Sequence, residues 1–446
     1  MPSIKNDGIR FYSQENLSDM KKTIILCTSA MAFALTITAQ TPQEDFKRDI
    51  TLSGSNYVAY RGPQKLLTPA PKGYTPFYLS HYGRHGSRYM IGKSAYDVPY
   101  FSLLKAQREG KLTAKGEETL KKVALIREEA KGRDGELTPL GALQHQGITK
   151  RMMERFPEIF AGKTNIEARS TIVIRCILSM ENGLQQLLRM NPQLNIFHDA
   201  STHDMYYMNQ DNRKLDSLKY CIGRMAVQEE FTKKHDCYSR VMTELFNDPS
   251  WVKQNIDPRD LNMKLFEMAS SIQGTELRGK VSLYGLFNEE EVYENWLVNN
   301  SWWQMSFGVS PYTGSKQPFS QRNLLRNIIS QADSCIALKH PGATLRYGHD
   351  TMVTPLTCLL NLNGYGNEIT DPEQIGKQWF DYKITPMATN IQFIFYRNKK
   401  NANDVIFKVL LNEDEATLPI QTDMAPYYHW NDFKNYYLKK LADYEK

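Results

Sequence analysis

Apolar residues recur along this chain with two periods, and the switching between them outlines its elements. Phe77-Tyr78-Leu79-Ser80 is short, apolar and aromatic, and predicts a buried strand. It leads into a glycine-rich loop, His81-Tyr82-Gly83-Arg84-His85-Gly86. Thr113–Glu129 carries apolar residues at helical spacing among charges. Leu140, Leu143, Ile148, Met152 and Phe156 mark a further helix, with Thr138-Pro139 as its start signal. Ile166–Ser170 predicts a second strand, followed by a helix through Ile177, Met180, Leu184 and Leu187. A helix over Asn323–Leu338 precedes a third strand, Ala343–Tyr347, which ends on Gly348-His349-Asp350. A helix over Met352–Leu362 comes next, with Pro355 near its first turn, where a missing N–H costs least. Ile391–Arg397 and Val405–Leu411 alternate and predict a hairpin, and Phe433–Tyr444 predicts an amphipathic helix.

Strands separated by helices predict an α/β fold with a mostly parallel central sheet flanked by helices. Residues 200–335 break that pattern. They are helix-rich and aromatic, with Trp251, Trp296, Trp302 and Trp303, and read as an inserted, mainly α-helical cap whose tryptophans belong to its core. The division expected is therefore 1–39 extension and signal, 40–199 first part of the core, 200–335 cap, and 336–446 second part of the core. Residues 40–75 are polar with scattered Pro and Gly, and predict an extended lead-in.

The N-terminus changes the picture more than bulk composition does. Met20-Lys21-Lys22 opens an uncharged run from Thr23 to Ala39, the pattern of a cleaved secretory signal. The alternative is a single membrane anchor, but the run falls short of the roughly 20 apolar residues of a spanning helix. Export to the periplasm or beyond is expected, with no stable membrane insertion after cleavage. The polar residues 1–19 point to a true start at Met20. The 446 residues are 41% hydrophobic and 23% charged, with a formal charge of +6. That is ordinary globular composition; the small positive excess fits an anionic small molecule and gives no ground for nucleic-acid binding. Five of six cysteines lie beyond the signal, so at least one thiol is left over if the others pair within the chain. No CxxC or Cys/His cluster suggests a metal, and no cofactor is implied.

Three predicted strands end on candidate chemistry, where open α/β sheets place their ligands. In Arg84-His85-Gly86-Ser87-Arg88, two arginines flank a histidine in a tight loop. A phosphoryl group in transfer spreads charge over three oxygens, which guanidinium forks stabilise. A neutral imidazole is a competent nucleophile, and Gly86 allows close backbone approach. The alternative for so short a motif is surface arginines beside a core-edge histidine.

These residues resemble the signature loop of the histidine acid phosphatases, a branch of the phosphohistidine superfamily. Three further stretches match that family in order: Leu137-Thr138-Pro139-Leu140-Gly141 with Gln144-His145, Arg169-Ser170-Thr171 with Arg175, and Tyr347-Gly348-His349-Asp350-Thr351. The likeness spans roughly residues 70–420. It implies a phosphoglycerate-mutase-like fold with His85 as nucleophile. Arg84, Arg88, Arg175 and His349 would bind phosphate, and Asp350 would protonate the leaving alkoxide. The substrate would be a small phosphate ester, with phytate or sugar phosphates among the candidates. Burial beside a cleft is expected to raise the Asp350 carboxyl and give an acidic optimum. Asp350 also suits an N-cap, Arg169 a structural role, His349 a packed core position and His81 a place behind the site.

Two departures matter. Met90 stands where the family usually has proline, and Cys176 where threonine is common. Arg88-Tyr89 resembles the inositol-polyphosphate phosphatase branch, whereas that branch usually carries His-Ala-Glu where His349-Asp350 stands. Lys93 and basic residues of the cap are candidates for extra substrate phosphates. A phosphoglycerate-mutase-like transferase shares the RHG loop, but export, length and the GHD motif argue against it. A non-catalytic phosphate-binding protein would be expected to lack His85 or Asp350.

Overall fold

The computed structural model describes residues 41–209 and 212–445. The proposed signal and start site lie outside the described residues. Eight strands form one mixed sheet: β1 (Tyr74–Arg84), β2 (Asn165–Ser170), β3 (Asn195–Asp199), β4 (Gly342–Gly348), β5 (Asn390–Asn398), β6 (Val405–Leu411), β7 (Asp414–Ala416) and β8 (Tyr428–His429). Their order is β3-β2-β4-β1-β5-β6-β7, with β8 also on β6. The first four pair in parallel and hold the site; the β5–β6 hairpin extends β1 antiparallel.

β1 is longer than its apolar run predicts. It continues through His81-Tyr82-Gly83 to Arg84, so the loop begins only at His85. The strand is buried on both faces, which hides the usual alternation. Tyr78 and Leu79 show the two faces. Tyr78 packs with Ile328, Leu356, Phe393 and Phe433 on one side; Leu79 packs with Ile148, Met152, Leu184 and Ile394 on the other. Helices Pro139–Arg155 and Ile174–Met190 cover the second face, and Arg322–Ile336, Asp350–Leu360 and Trp430–Glu445 cover the first. The β1–β5 register shifts between Pro76 and Tyr78, at a residue that has no N–H to pair.

Residues 202–336 add helices and, among the described residues, no strand. Their apolar core is shared with the early helices Lys93–Arg108 and Ala114–Glu129: Leu103, Val123, Leu245, Leu265 and Trp296 belong to one cluster. Trp251, Trp296 and Trp303 are buried there or nearby, while Trp302 is 37% exposed. Residues 42–57 are not an extended lead-in. They form a helix, Pro42–Arg48, and a 3-10 segment, Ile50–Tyr57, whose Phe46 and Tyr57 are buried in the same helical core. All five described cysteines are free thiols.

Candidate active site

The parallel register sets the site. Arg84 aligns with Gly348, and Ser170 with Tyr347, so three strand ends finish level. Backbone bonds run one residue further: His85 N–H donates to Gly348 O, and Thr171 N–H to Tyr347 O. His85, Thr171 and His349 therefore leave the sheet side by side.

The loop after His85 is clamped by the start of the Pro139–Arg155 helix. Thr138 donates to Ser87 O through both its backbone N–H and its hydroxyl. Gln144 Oε1 accepts from Ser87 N–H at 2.8 Å, and its amide donates to Ser87 Oγ at 2.9 Å. A Cβ on Gly86 would lie 2.3 Å from Gly141 O, and one on Gly141 would lie 2.3 Å from Ser87 O. The two glycines permit this contact. The Leu137–His145 motif thus acts mechanically, holding the loop. Met90 has a similar explanation: its N–H donates to Tyr96 Oη at 2.8 Å, a bond that proline could not make.

His85 is fully buried, and its Nδ1 lies 2.9 Å from Gly86 O. A carbonyl only accepts, so the proton sits on Nδ1 and Nε2 carries the lone pair. Burial, then the charges of Arg84, Arg175 and Arg88, hold this ring well below the usual histidine range, and it is neutral. His349 packs edge-on to it at 5.8 Å between ring centroids. Burial and Arg175 push His349 down to about 4. Its Nε2 lies 3.3 Å from Thr171 Oγ1, and Cys176 Sγ is 3.8 Å from both ring nitrogens. Burial pushes the Cys176 thiol up to about 12, so it serves as packing and as a donor to Gly348 O.

Arg84 has no exposed surface. Its Nη1 donates to the carbonyls of Asn56 and Thr385, and its Nη2 meets Asp350 Oδ2 at 2.7 Å. Arg88 lies 5.1 Å from the Tyr57 ring centroid and donates to Tyr89 O; its buried Nε has no partner. Arg175, from the first turn of Ile174–Met190, also has a buried, unpartnered Nε. With Arg84 Nε likewise unpartnered, three guanidinium groups each keep a donor unspent beside a neutral imidazole, a ready cradle for an anion. Arg169 is spent on ion pairs, with Glu167 at 2.9 Å and Asp204 at 3.4 Å. His81 lies behind the site, buried with both ring nitrogens unpartnered, and burial drives it down to about 3. His145, equally buried, packs on Tyr347.

Asp350 departs from expectation in two ways. It is the first residue of its helix rather than the N-cap, a position held by His349. Its Oδ1 accepts from Thr351 N–H. The helix begins two residues earlier than its apolar pattern indicates, which puts Pro355 in its second turn. Burial does raise the carboxyl, but Arg84, Arg88 and the Asn56 amide outweigh it and hold it at about 2. Asn56 and Tyr57 are the residues that sequence reasoning missed. Nothing in their composition marks them, because they reach the site from 28 residues before Arg84 through the chain's fold.

Among the described residues, no group of three or more His, Cys, Asp or Glu is placed to hold a metal ion, and no helix is long and apolar enough to cross a membrane. The family described as "Histidine phosphatase superfamily (branch 2)" matches residues 83–412, from β1 to the end of the β6 strand. The chain belongs to this superfamily. As a branch 2 histidine phosphatase it is a phosphoric monoester hydrolase. Solved structures agree on the fold. A multiple inositol polyphosphate phosphatase from Bifidobacterium longum superposes with a TM-score of 0.68 at 16% identity, over 86% of this chain and 96% of that one. A phytase from D. castellii gives 0.65 at 14% identity, over 92% and 89%. A Hafnia alvei phytase gives 0.51 at 14%, over 83% and 98%. No curated protein matches.

Proposed function

We propose that this histidine phosphatase is exported and hydrolyses phosphate monoesters of inositols or sugars in two steps. His85 Nε2 attacks phosphorus, the P–O bond to the alcohol breaks, and the alkoxide takes its proton from Asp350. Water then attacks the phosphohistidine, Asp350 receives a proton from it, and phosphate leaves. Arg84, Arg88 and Arg175 stabilise the equatorial oxygens, with His349 as a further donor.

The observation that carries this reading is the tautomer of His85. A buried, neutral imidazole with Nδ1 tied to Gly86 O has its lone pair on the other nitrogen, amid three guanidinium groups. The helical layer would act as a cap over the leaving group. Export rests on the Lys21-Lys22 start and the uncharged run to Ala39.

The test is phosphate release from para-nitrophenyl phosphate and from inositol phosphates, with EDTA present, in wild type and His85→Ala. Release that survives EDTA and is lost in His85→Ala supports the reading; release unchanged in His85→Ala overturns it. N-terminal sequencing of protein recovered outside the cytoplasm tests export, and a mature chain that retains Ile24–Phe33 contradicts it.

A further inference from the structure

A cleft of about 710 Å³ opens from Arg88, Asn56 and Tyr57 towards helices Ile222–Lys234, Pro258–Ser271 and Glu289–Phe307. Arg88, assigned above to the substrate phosphate, lines it, so it is the space open to the alcohol part of a substrate held there. Lys93, on the exposed start of its helix, is not among the lining residues.

Apart from Arg88, the lining is poor in free positive charge. Carboxylates outnumber lysines and arginines four to two: Glu229, Asp236, Asp260 and Glu267 against Arg259 and Lys264. Both cations are engaged. Arg259 grips Asp236 through Nε at 2.9 Å and Nη2 at 2.5 Å, and its Nη1 meets Glu229 at 3.1 Å. Lys264 lies 3.3 Å from Asp260. His235 sits between Glu294 at 2.6 Å and Glu373 at 3.4 Å. Glu267 accepts from Tyr57 Oη at 2.8 Å, close behind Arg88.

A second observation concerns neutral groups. Gln228 and Asn262 both line this cleft, and the side-chain oxygen of each is buried without a donor. Their amide nitrogens are already used, by Ser301 and Thr232 for Gln228 and by Asn295 for Asn262. Two buried acceptors of the wall residues therefore lack donors. A phosphate oxygen is itself an acceptor and adds like charge; a hydroxyl donates.

We infer that the cleft selects phosphate monoesters of neutral, hydroxyl-rich alcohols and discriminates against substrates carrying several phosphates. Gln228 and Asn262 take hydroxyl protons, while Arg259 and Lys264, spent on carboxylates, leave no free cation for additional phosphates. The inference rests on the phosphatase reading and narrows it from inositol and sugar phosphates in general to the singly phosphorylated ones.

The experiment compares kcat/KM for myo-inositol monophosphate, glucose 6-phosphate, phytate and para-nitrophenyl phosphate. Wild type is set beside Glu229→Gln/Asp260→Asn, a pair of changes on the solvent-facing wall. The expected result is at least a tenfold preference of wild type for the two monophosphates over phytate. In the variant, phytate should gain at least threefold relative to para-nitrophenyl phosphate. Equal or better use of phytate by wild type, or an unmoved ratio in the variant, overturns the inference while leaving the phosphatase reading intact. No turnover of any ester, para-nitrophenyl phosphate included, defeats both.

Discussion

Asn56 Nδ2 donates a 3.0 Å hydrogen bond to Oδ2 of Asp350, the same oxygen that Arg84 Nη2 holds at 2.7 Å. The Asn56 carbonyl accepts from Arg84 as well, so one residue braces both members of the pair. Asn56 is itself held by its neighbour. Ser55 sits at a φ of 54°, and its hydroxyl donates to the buried Asp381. That carboxylate also accepts from Trp296 Nε1. A strained residue in this place fits a segment fixed for function. Asn56→Ala should lower kcat by roughly tenfold to a hundredfold, the usual worth of a bond to a charged group. It should also raise the Asp350 pKa, since one of the groups that lowers it is gone. Steady-state kinetics across pH in the variant checks both; an unchanged kcat and pH profile would show that Asn56 does not act on Asp350.

The carboxyl held at about 2 gives a specific pH prediction. Free enzyme carries an ionised Asp350 throughout the working range. The proton for the alkoxide then has to arrive on the substrate, as the monoanion that phosphate monoesters form below about pH 6. Bound phosphate charge facing Arg84 and Arg88 favours its transfer to Asp350. The sign follows: kcat/KM should fall as pH rises through the ester's second pKa. His85 is held well below its ordinary range, so it stays neutral and imposes no loss until strongly acidic pH. Esters with different second pKa values should shift the basic limb in step. A limb that stays fixed across substrates would mean that an enzyme group sets it.

Gly141 makes a mechanical claim. A Cβ there would meet Ser87 O at 2.3 Å and Ser87 N at 2.8 Å, both backbone atoms of the loop that follows His85. Gly141→Ala should displace that loop, reduce kcat at least tenfold and cost about 1–3 kcal/mol in stability, the range for overpacking. Thermal unfolding and kinetics of the variant decide; wild-type values in both would show that the helix does not set the loop.

The candidate cluster was legible in the sequence because its members lie at strand ends. His85, Thr171 and His349 follow directly on β1, β2 and β4, with Asp350 and Arg88 a few residues on, and short-range pattern finds such junctions. Arg84 is the last residue of β1, and Arg175 the second of the following helix. The hairpin Ile391–Arg397 with Val405–Leu411 was equally readable, since its register follows the apolar alternation. What escaped depends on tertiary packing. Residues 42–57 read as a polar lead-in because the residues that anchor them, Phe46 and Tyr57, find a core only when Trp296 and Tyr382 arrive from far along the chain. Residues 93–129 read as part of the α/β core, although the apolar faces of helices Lys93–Arg108 and Ala114–Glu129 meet Leu245 and Leu265. The direction of the Asp350 shift failed for a related reason: burial was foreseeable, but the 2.7 Å contact with Arg84 was not.

The most direct test is to trap the enzyme during turnover. Wild type is mixed with radiolabelled phosphate ester, quenched in alkaline denaturant within milliseconds, and the labelled peptide is sequenced. The account predicts an acid-labile, base-stable label on His85, at up to one per chain, and neither label nor turnover in His85→Ala. Turnover without a labelled histidine, or a label on another residue with His85→Ala still active, would contradict it.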